Sequence, residues 1–487
     1  MAENSLGKLA LESCGVSEDL KNSWKYFIEN EISENSERLK IEDIKIIDPA
    51  MGSGHILVYC FDMLSEIYED LGWSKKEAVF SILKNNLYGL EIDKRASQLA
   101  SFAVFMKARE KFSRLFKVVE RMEEEEKISL NTLCIEESNE ISEGTRKLIK
   151  ENLLINFEKL LDEFYDAKEY GSILKIEYMD IEHLYRELKV LREAYFKQGQ
   201  MSLIYDNVSE EDFKKDCEII EKLIIQQKIM TDRYDIVITN PPYMGNSRMN
   251  PKLKEYIDKN YPEVKSDLFS VFFVKCCEIA RKDGYLGFMS PFVWMFIKSY
   301  EELRRKFINE KYIVTLIQLE YSGFEDATVP ICTFVLQNSF KNKKGEYIKL
   351  SDFRGVKNQP IKTLEAIENP KCGWRYIADQ KEFEKIPGSP IAYWCTNFNI
   401  FNLNKISMYY ESAGRNKTHG NDLYVRNWWE IYDRKKWQPY ANGGEFRRWA
   451  GNDLSVVDWS DAAKNHMLHM EVFIIKNTLG NKELVGI

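Results

Sequence analysis

The sequence predicts an α/β protein built on a doubly wound, mostly parallel sheet, interrupted by a helical insertion and followed by a second domain. Three observations carry that expectation: short β-rich runs that each lead into a helical stretch, a Glu-, Lys- and Leu-rich segment across 111–232, and a Trp-rich segment across 394–459. Strands that alternate with helices bury both sheet faces. That architecture favours parallel pairing and places ligands at the carboxyl ends of the strands.

The β-rich runs, in order, are IKIIDPA (44–50), LYGLEID (87–93), YDIVITN (234–240), YLGFMSP (285–291), YIVTLIQLE (312–320) and ICTFVLQN (331–338). HILVYCFDMLSEIYEDL follows the first and KRASQLASFAVFMKA the second, both with helical periodicity. Between the second and third runs, NLLINFEKLLDEFY (152–165) sets Leu153, Phe157, Leu160, Leu161 and Phe164 at three- and four-residue spacing. That spacing gives one apolar face, so an amphipathic helix is expected. The polar turn Lys341–Gly345 (KNKKG) is the best break before the second domain.

Composition narrows the class. The chain has 487 residues, 44 % hydrophobic and 30 % charged, with a net charge of −8, which excludes disordered and collagen-like chains. No apolar run approaches the roughly 20 residues of a bilayer span, and residues 1–20 lack a signal pattern. A cytoplasmic protein without membrane contact is expected. Nine cysteines lie scattered without CxxC spacing and five histidines form no HExxH, so reduced thiols are expected and no metal site. The acidic total does not exclude nucleic acid, because 400–450 carries nine basic against five acidic residues.

Three motifs carry chemistry. Asp48-Pro49-Ala50-Met51-Gly52-Ser53-Gly54 follows an apolar strand and opens a helix, so its glycines allow a tight turn and the helix offers free N–H groups. Neither GxGxxG nor GxxxxGK[ST] is completed, and a plain structural turn is the alternative. Glu91 ends the second run, where a fold of this kind bonds the hydroxyls of a ribose. Asp93, by contrast, reads as a helix cap. Asn240-Pro241-Pro242-Tyr243 ends the run IVIT. Its prolines fix the backbone so that the Asn240 carboxamide oxygen and the Pro241 carbonyl can face one spot. Two acceptors there would bond the N–H groups of a planar exocyclic amine and free its lone pair to attack. Tyr243 would give a base a face to stack on.

DPAMGSG, YGLEID and NPPY in this order resemble the motifs of amino-group DNA methyltransferases that form N6-methyladenine with S-adenosylmethionine. ENSLGKL (3–9), IIDPAMGSGHILVYCFDML (46–64), NNLYGLEIDKRASQLASFAVFMKAR (85–109), TNPPYMGNSRMNPKLKEYI (239–257) and GGEFRRWAGN (443–452) resemble the PglX-type methyltransferases of bacteriophage-exclusion (BREX) systems. Within 111–232 only Gly171-Ser172-Ile173-Leu174 is similar to a family motif, the third for the cofactor. The resemblance implies a methyltransferase fold, S-adenosylmethionine as cofactor, double-stranded DNA as partner alongside other phage-defence proteins, and host-DNA marking as the role.

By position, the resemblance implies that Asp48, Pro49, Ala50, Gly52, Ser53 and Gly54 line the cofactor, with Glu91 on its ribose and Asp267, in Ser266-Asp267-Leu268-Phe269, bordering its pocket. Asn240, Pro241 and Pro242 would serve the target amine, with Tyr243 and Phe324 against an extruded adenine. The loop with Asn246 and Arg248, and the basic side chains Arg434, Lys435, Lys436, Arg447 and Arg448 among aromatics, would contact DNA. A tryptophan cluster there is otherwise a core. The resulting division is an N-terminal helical segment (1–40), a cofactor-binding half (41–110), a helical insertion (111–232), a catalytic half (233–340) and a partial target-recognition domain (341–487). Because relatives extend beyond both ends, the chain reads as a central fragment with slow or absent methylation on its own. Alternatives are a DNA-recognising subunit with partner-dependent catalysis, a restriction–modification methyltransferase, and an enzyme acting on glutamine or RNA amines.

Overall fold

A computed structural model describes residues 1–30, 38–122, 130–201, 209–321, 329–405, 408–409, 418–432, 435–440, 444, 447 and 451–469, with the side chains of 197–201 left aside. They form two compact units, Met1–Asn402 and Leu403–Ile487.

The first unit is organised by a nine-stranded sheet. Its strands are β1 (Ile46–Asp48), β2 (Leu87–Glu91), β3 (Asn131–Cys134), β4 (Tyr234–Thr239), β5 (Ala280–Pro291), β6 (Tyr312–Gln318), β7 (Ile331–Gln337), β8 (Gly345–Lys349) and β9 (Arg375–Ala378). Their spatial order is β3-β2-β1-β4-β5-β7-β6-β8-β9. Pairing is parallel from β3 through to β5, and β7 lies antiparallel to both β5 and β6. All six expected strands are present. β3, β8 and β9 were not foreseen: they are short, and β3 and β9 carry partly exposed side chains without a continuous apolar run.

Alternation along each strand divides the core, because successive side chains point to opposite faces. Ile47, Leu90, Val237, Leu286, Phe288 and Phe334 face one layer, which holds the helices Leu268–Ile279 and Glu301–Glu310 and the insertion. Ile46, Leu87, Ile236, Ile238, Val314 and Val335 face the other. There, helices His55–Asp70 and Lys94–Lys111 pack through Leu57, Phe61, Ala100 and Val104. Residues Glu3–Gly7 and Lys8–Ser13 are helical and join the same layer through Leu6, Leu9 and Ala10, so the N-terminal segment packs into this core.

Two expectations about organisation change. The segment 111–232 is not purely helical: β3 extends the sheet beside β2, and the helices Glu143–Glu151, Ile155–Glu163, Ile181–Met201 and Glu210–Thr231 follow. The turn at 341–345 does not separate domains. It leads into β8, which pairs parallel with β6, and the first unit continues to Asn402. Short connections of polar composition occur inside a sheet as readily as between domains.

In the second unit, β10 (Val425–Asn427), β12 (Ser455–Asp458) and β11 (Trp437–Pro439) pair antiparallel in that order. Val457, Ala463 and Met467 form a small core with Tyr424, Val425 and Tyr440. Among the described residues of both units, no helix is long and apolar enough to cross a membrane.

Candidate active site

β1 and β4 are neighbours, with Ile46 opposite Ile236 and Ile47 opposite Val237. Their carboxyl ends therefore deliver Asp48 and Thr239 side by side, and the loops DPAMGSG and NPPY leave the sheet at one edge. Ser172 enters the same place from the insertion: its buried hydroxyl donates to the Pro49 carbonyl at 2.6 Å.

The first loop is held from β2. Gly52 N–H donates to Glu91 Oε2 at 2.7 Å, while Ile92 and Asp93 N–H groups donate to Glu91 Oε1 at 2.9 and 3.0 Å. Asp93 caps the helix Lys94–Lys111, accepting from Ala96 N–H at 2.8 Å, as expected. Gly52 and Gly54 both have left-handed φ, +52° and +83°. Open space surrounds the missing Cβ of Gly52, whereas a Cβ on Gly54 would lie 2.9 Å from the Ala100 backbone. Gly54 thus serves helix packing, and Gly52 leaves room for a ligand.

Asp48 is 1 % exposed, and its Oδ1 accepts from Ala50 N–H at 3.1 Å. Its Oδ2 has no hydrogen-bond partner, nor has the buried hydroxyl of Thr239. Burial pushes the Asp48 carboxyl up to about 7; Thr239 and Ala50 N–H pull it down, and the Glu91 charge pushes the same way as burial. Thr239 and the Asp48 carboxyl thus act on each other at this edge. Buried polar atoms without a further partner are rare, and this neighbouring pair at one strand edge suits a polar ligand. A free carboxylate oxygen suits an ammonium or sulfonium cation, and the loop N–H groups suit a carboxylate. The residues present fit S-adenosylmethionine.

The second loop presents Asn240, exposed, with Pro241 buried and Tyr243 half-buried. Tyr243 O–H donates to Asn240 Oδ1 at 2.6 Å, and its ring meets Phe269 edge-on at 6.4 Å. Burial raises the Tyr243 hydroxyl well above the ordinary phenol range. Asp267 holds this loop from below, accepting from Met244 N–H at 2.9 Å and from Phe269 N–H at 3.3 Å as the cap of helix Leu268–Ile279. Leu268 N–H donates back to the Met244 carbonyl at 3.0 Å. The Asp267 bonds are to backbone, which fastens the loop to the helix; bordering a cofactor pocket is not needed to explain them.

Sequence reasoning passed over Thr239, Ser172 as an individual side chain, and Lys275. Lys275 is the lone cation in LFSVFFVKCCEI, which is its signal; it is 6 % exposed and donates to the Leu174 carbonyl at 2.6 Å. The segment 171–174 is thereby tied to both loops' supports. In the set expected to contact DNA, Asn246 Nδ2 donates to the Lys265 carbonyl at 3.0 Å, and Arg248 and Arg447 are exposed. Lys436 pairs with Asp458 at 2.9 Å and lies over the Trp437 ring. Phe324, Arg434 and Arg448 lie outside the described residues. Trp428 and Trp429 are 51 % and 56 % exposed, and Tyr432 is fully exposed.

The strand order, the reversed β7 and the two loops at the β1–β4 edge give the α/β methyltransferase fold, with its mostly parallel central sheet, that the motifs predict. Residues 85–324 match the Eco57I restriction-modification methylase family. The chain is 32 % identical to the adenine-specific methyltransferase PglX of Lacticaseibacillus casei (strain Zhang), over 98 % of this chain and 41 % of that protein. It is 31 % identical to the adenine-specific methyltransferase BrxX of Escherichia coli O9:H4 (strain HS), over 95 % of this chain and 40 % of that protein. Across nearly its whole length the chain is similar to these adenine-specific methyltransferases. It spans about two fifths of the length of these curated relatives.

Proposed function

We propose that the chain is the catalytic part of a site-specific DNA methyltransferase that transfers a methyl group to adenine N6 in double-stranded DNA. The observation that carries this reading is the placement of NPPY and DPAMGSG on adjacent strand ends, which brings an amine-binding loop against a cofactor loop. S-adenosylmethionine supplies the electrophilic methyl. Asp48 Oδ2 and the loop N–H groups would hold its amino-acid end, and Glu91 its ribose. Three of the roughly four acceptor directions of the Glu91 carboxylate already take backbone N–H groups, which leaves one for a hydroxyl.

A duplex adenine cannot reach this edge while stacked, so the base is extruded and lies on the Tyr243 ring. Asn240 Oδ1 and the Pro241 carbonyl accept the two amine N–H groups, which draws the nitrogen lone pair out of conjugation and aims it. The released proton passes to solvent. The exposed loop with Asn246 and Arg248 borders the base, and the basic, aromatic surface of the second unit, with Lys435, Lys436 and Arg447, contacts the duplex. We place the reaction in the cytoplasm, on host DNA, in concert with other phage-defence proteins.

Incubation with unmethylated plasmid and S-adenosylmethionine, followed by mass spectrometry of the nucleosides, tests this reading. N6-methyldeoxyadenosine is the expected product. Methyl transfer to RNA or to glutamine, with none to DNA, would replace it.

A further inference from the structure

The bond between the Tyr243 hydroxyl and Asn240 Oδ1 is not needed for base stacking, which uses only the ring. It bears on a different problem. A carboxamide has two ends of nearly equal size, one accepting and one donating. If Asn240 turned its Nδ2 toward an exocyclic amine, two donors would meet and the contact would repel. The local chain leaves Asn240 exposed, so packing does not settle which end faces outward. Tyr243 does: its O–H reaches back three residues to Oδ1 at 2.6 Å.

We propose that the Tyr243 hydroxyl is a positioning group that fixes the Asn240 carboxamide with its oxygen toward the target amine. This deepens the methyltransferase reading above and rests on it. The geometry allows both donors at once. The hydroxyl lies in the plane of the Tyr243 ring, whereas an amine on a stacked base lies one van der Waals separation, about 3.5 Å, above that plane. One lone pair of Oδ1 then takes the phenol and the other the amine. The ring itself is braced by Phe269 and the following backbone by Asp267, so the tyrosine is a fixed reference. Its raised pKa keeps the hydroxyl protonated, and hence a donor, throughout the physiological range.

The test uses the chain and its Tyr243→Phe, Asn240→Ala and doubly substituted variants. Tyr243→Phe keeps the ring and its contact with Phe269, so the fold and S-adenosylmethionine affinity are unchanged. Its kcat is expected to fall about tenfold, the rate equivalent of one neutral hydrogen bond. In the Asn240→Ala background the same substitution should cost nothing further, because no carboxamide remains to be aimed. An activity-independent readout is the ¹⁵N spectrum: the Asn240 side-chain amide, identified by its absence from Asn240→Ala, moves in Tyr243→Phe. An unmoved signal, or equal losses from Tyr243→Phe in both backgrounds, overturns the proposal. If Asn240→Ala itself keeps full activity, the methyltransferase reading of NPPY fails instead.

Discussion

Gly52 donates its backbone N–H to Glu91 Oε2, so a carboxylate at the end of β2 holds the tip of the loop that follows β1. All three groups facing Glu91 are donors. A glutamine there would bring its own NH₂ against one of them, so Glu91→Gln is not a mild change. It is expected to weaken S-adenosylmethionine binding by about 1–3 kcal/mol, the range for a charge-assisted hydrogen bond. Calorimetry with unchanged affinity would leave Glu91 with only its loop-holding role.

Asp48 predicts a pH dependence of both stability and binding. Its pKa is raised from 3.8 to about 7 in the fold, so between those values the folded chain binds the extra proton. Stability therefore falls as pH rises through that window. Asp48→Asn removes the titration and should gain about 2–3 kcal/mol on the parent between pH 5 and pH 8 in denaturant unfolding. A cation bound at Oδ2 favours the ionised form, so the parent's affinity for S-adenosylmethionine should climb between pH 6 and pH 8 while the variant's stays flat. Parallel profiles would remove Asp48 from the cofactor site.

Lys275 works in the opposite direction. Burial lowers its pKa from 10.5 to about 8, with nearby acids opposing, so the unfolded chain binds the proton that the folded chain lacks in that window. Stability rises with pH there. Relative to Lys275→Met, the parent should gain about 2–3 kcal/mol between pH 7 and pH 10. A pH-independent difference would show that Lys275 keeps its charge through the window.

Ser172 links the insertion to the cofactor loop through one buried hydrogen bond to Pro49. Ser172→Ala should raise the KM for S-adenosylmethionine about three- to tenfold, with kcat nearly unchanged, because the bond supports the loop and not the amine site. Steady-state kinetics with a lowered kcat at constant KM would place its action on the NPPY side.

Much of this was legible because local sequence determines it. Each of the six expected strands is an apolar run that finds its partner in the sheet, and Asp93 caps its helix as its position before KRASQ requires. NPPY was readable because two prolines fix their own backbone. The parts that were not legible depend on distant residues. The placement of Ser172 against Pro49, 123 positions away, leaves no local trace. Gly54 shares the loop with Gly52, yet its Cβ space is taken by Ala100, a contact that only the packing of two helices creates. Asp267 was read only as bordering a cofactor pocket, and its bond to the Met244 backbone, 23 positions away, leaves no local trace either. The tryptophans of 428–429 invited a core, yet the small core of the second unit gathers around Val457, Ala463 and Met467.

The central claim is that Asn240 draws out the lone pair of an adenine amine. It is tested most directly by mass spectrometry of plasmid DNA from cells expressing either the chain or its Asn240→Ala variant. N6-methyldeoxyadenosine should form slowly but measurably with the parent and fall by about two orders of magnitude or more with the variant, since the contact is made chiefly in the transition state. Methylation by Asn240→Ala above about a tenth of the parent level, on the scale expected for losing one weak contact, would contradict the account.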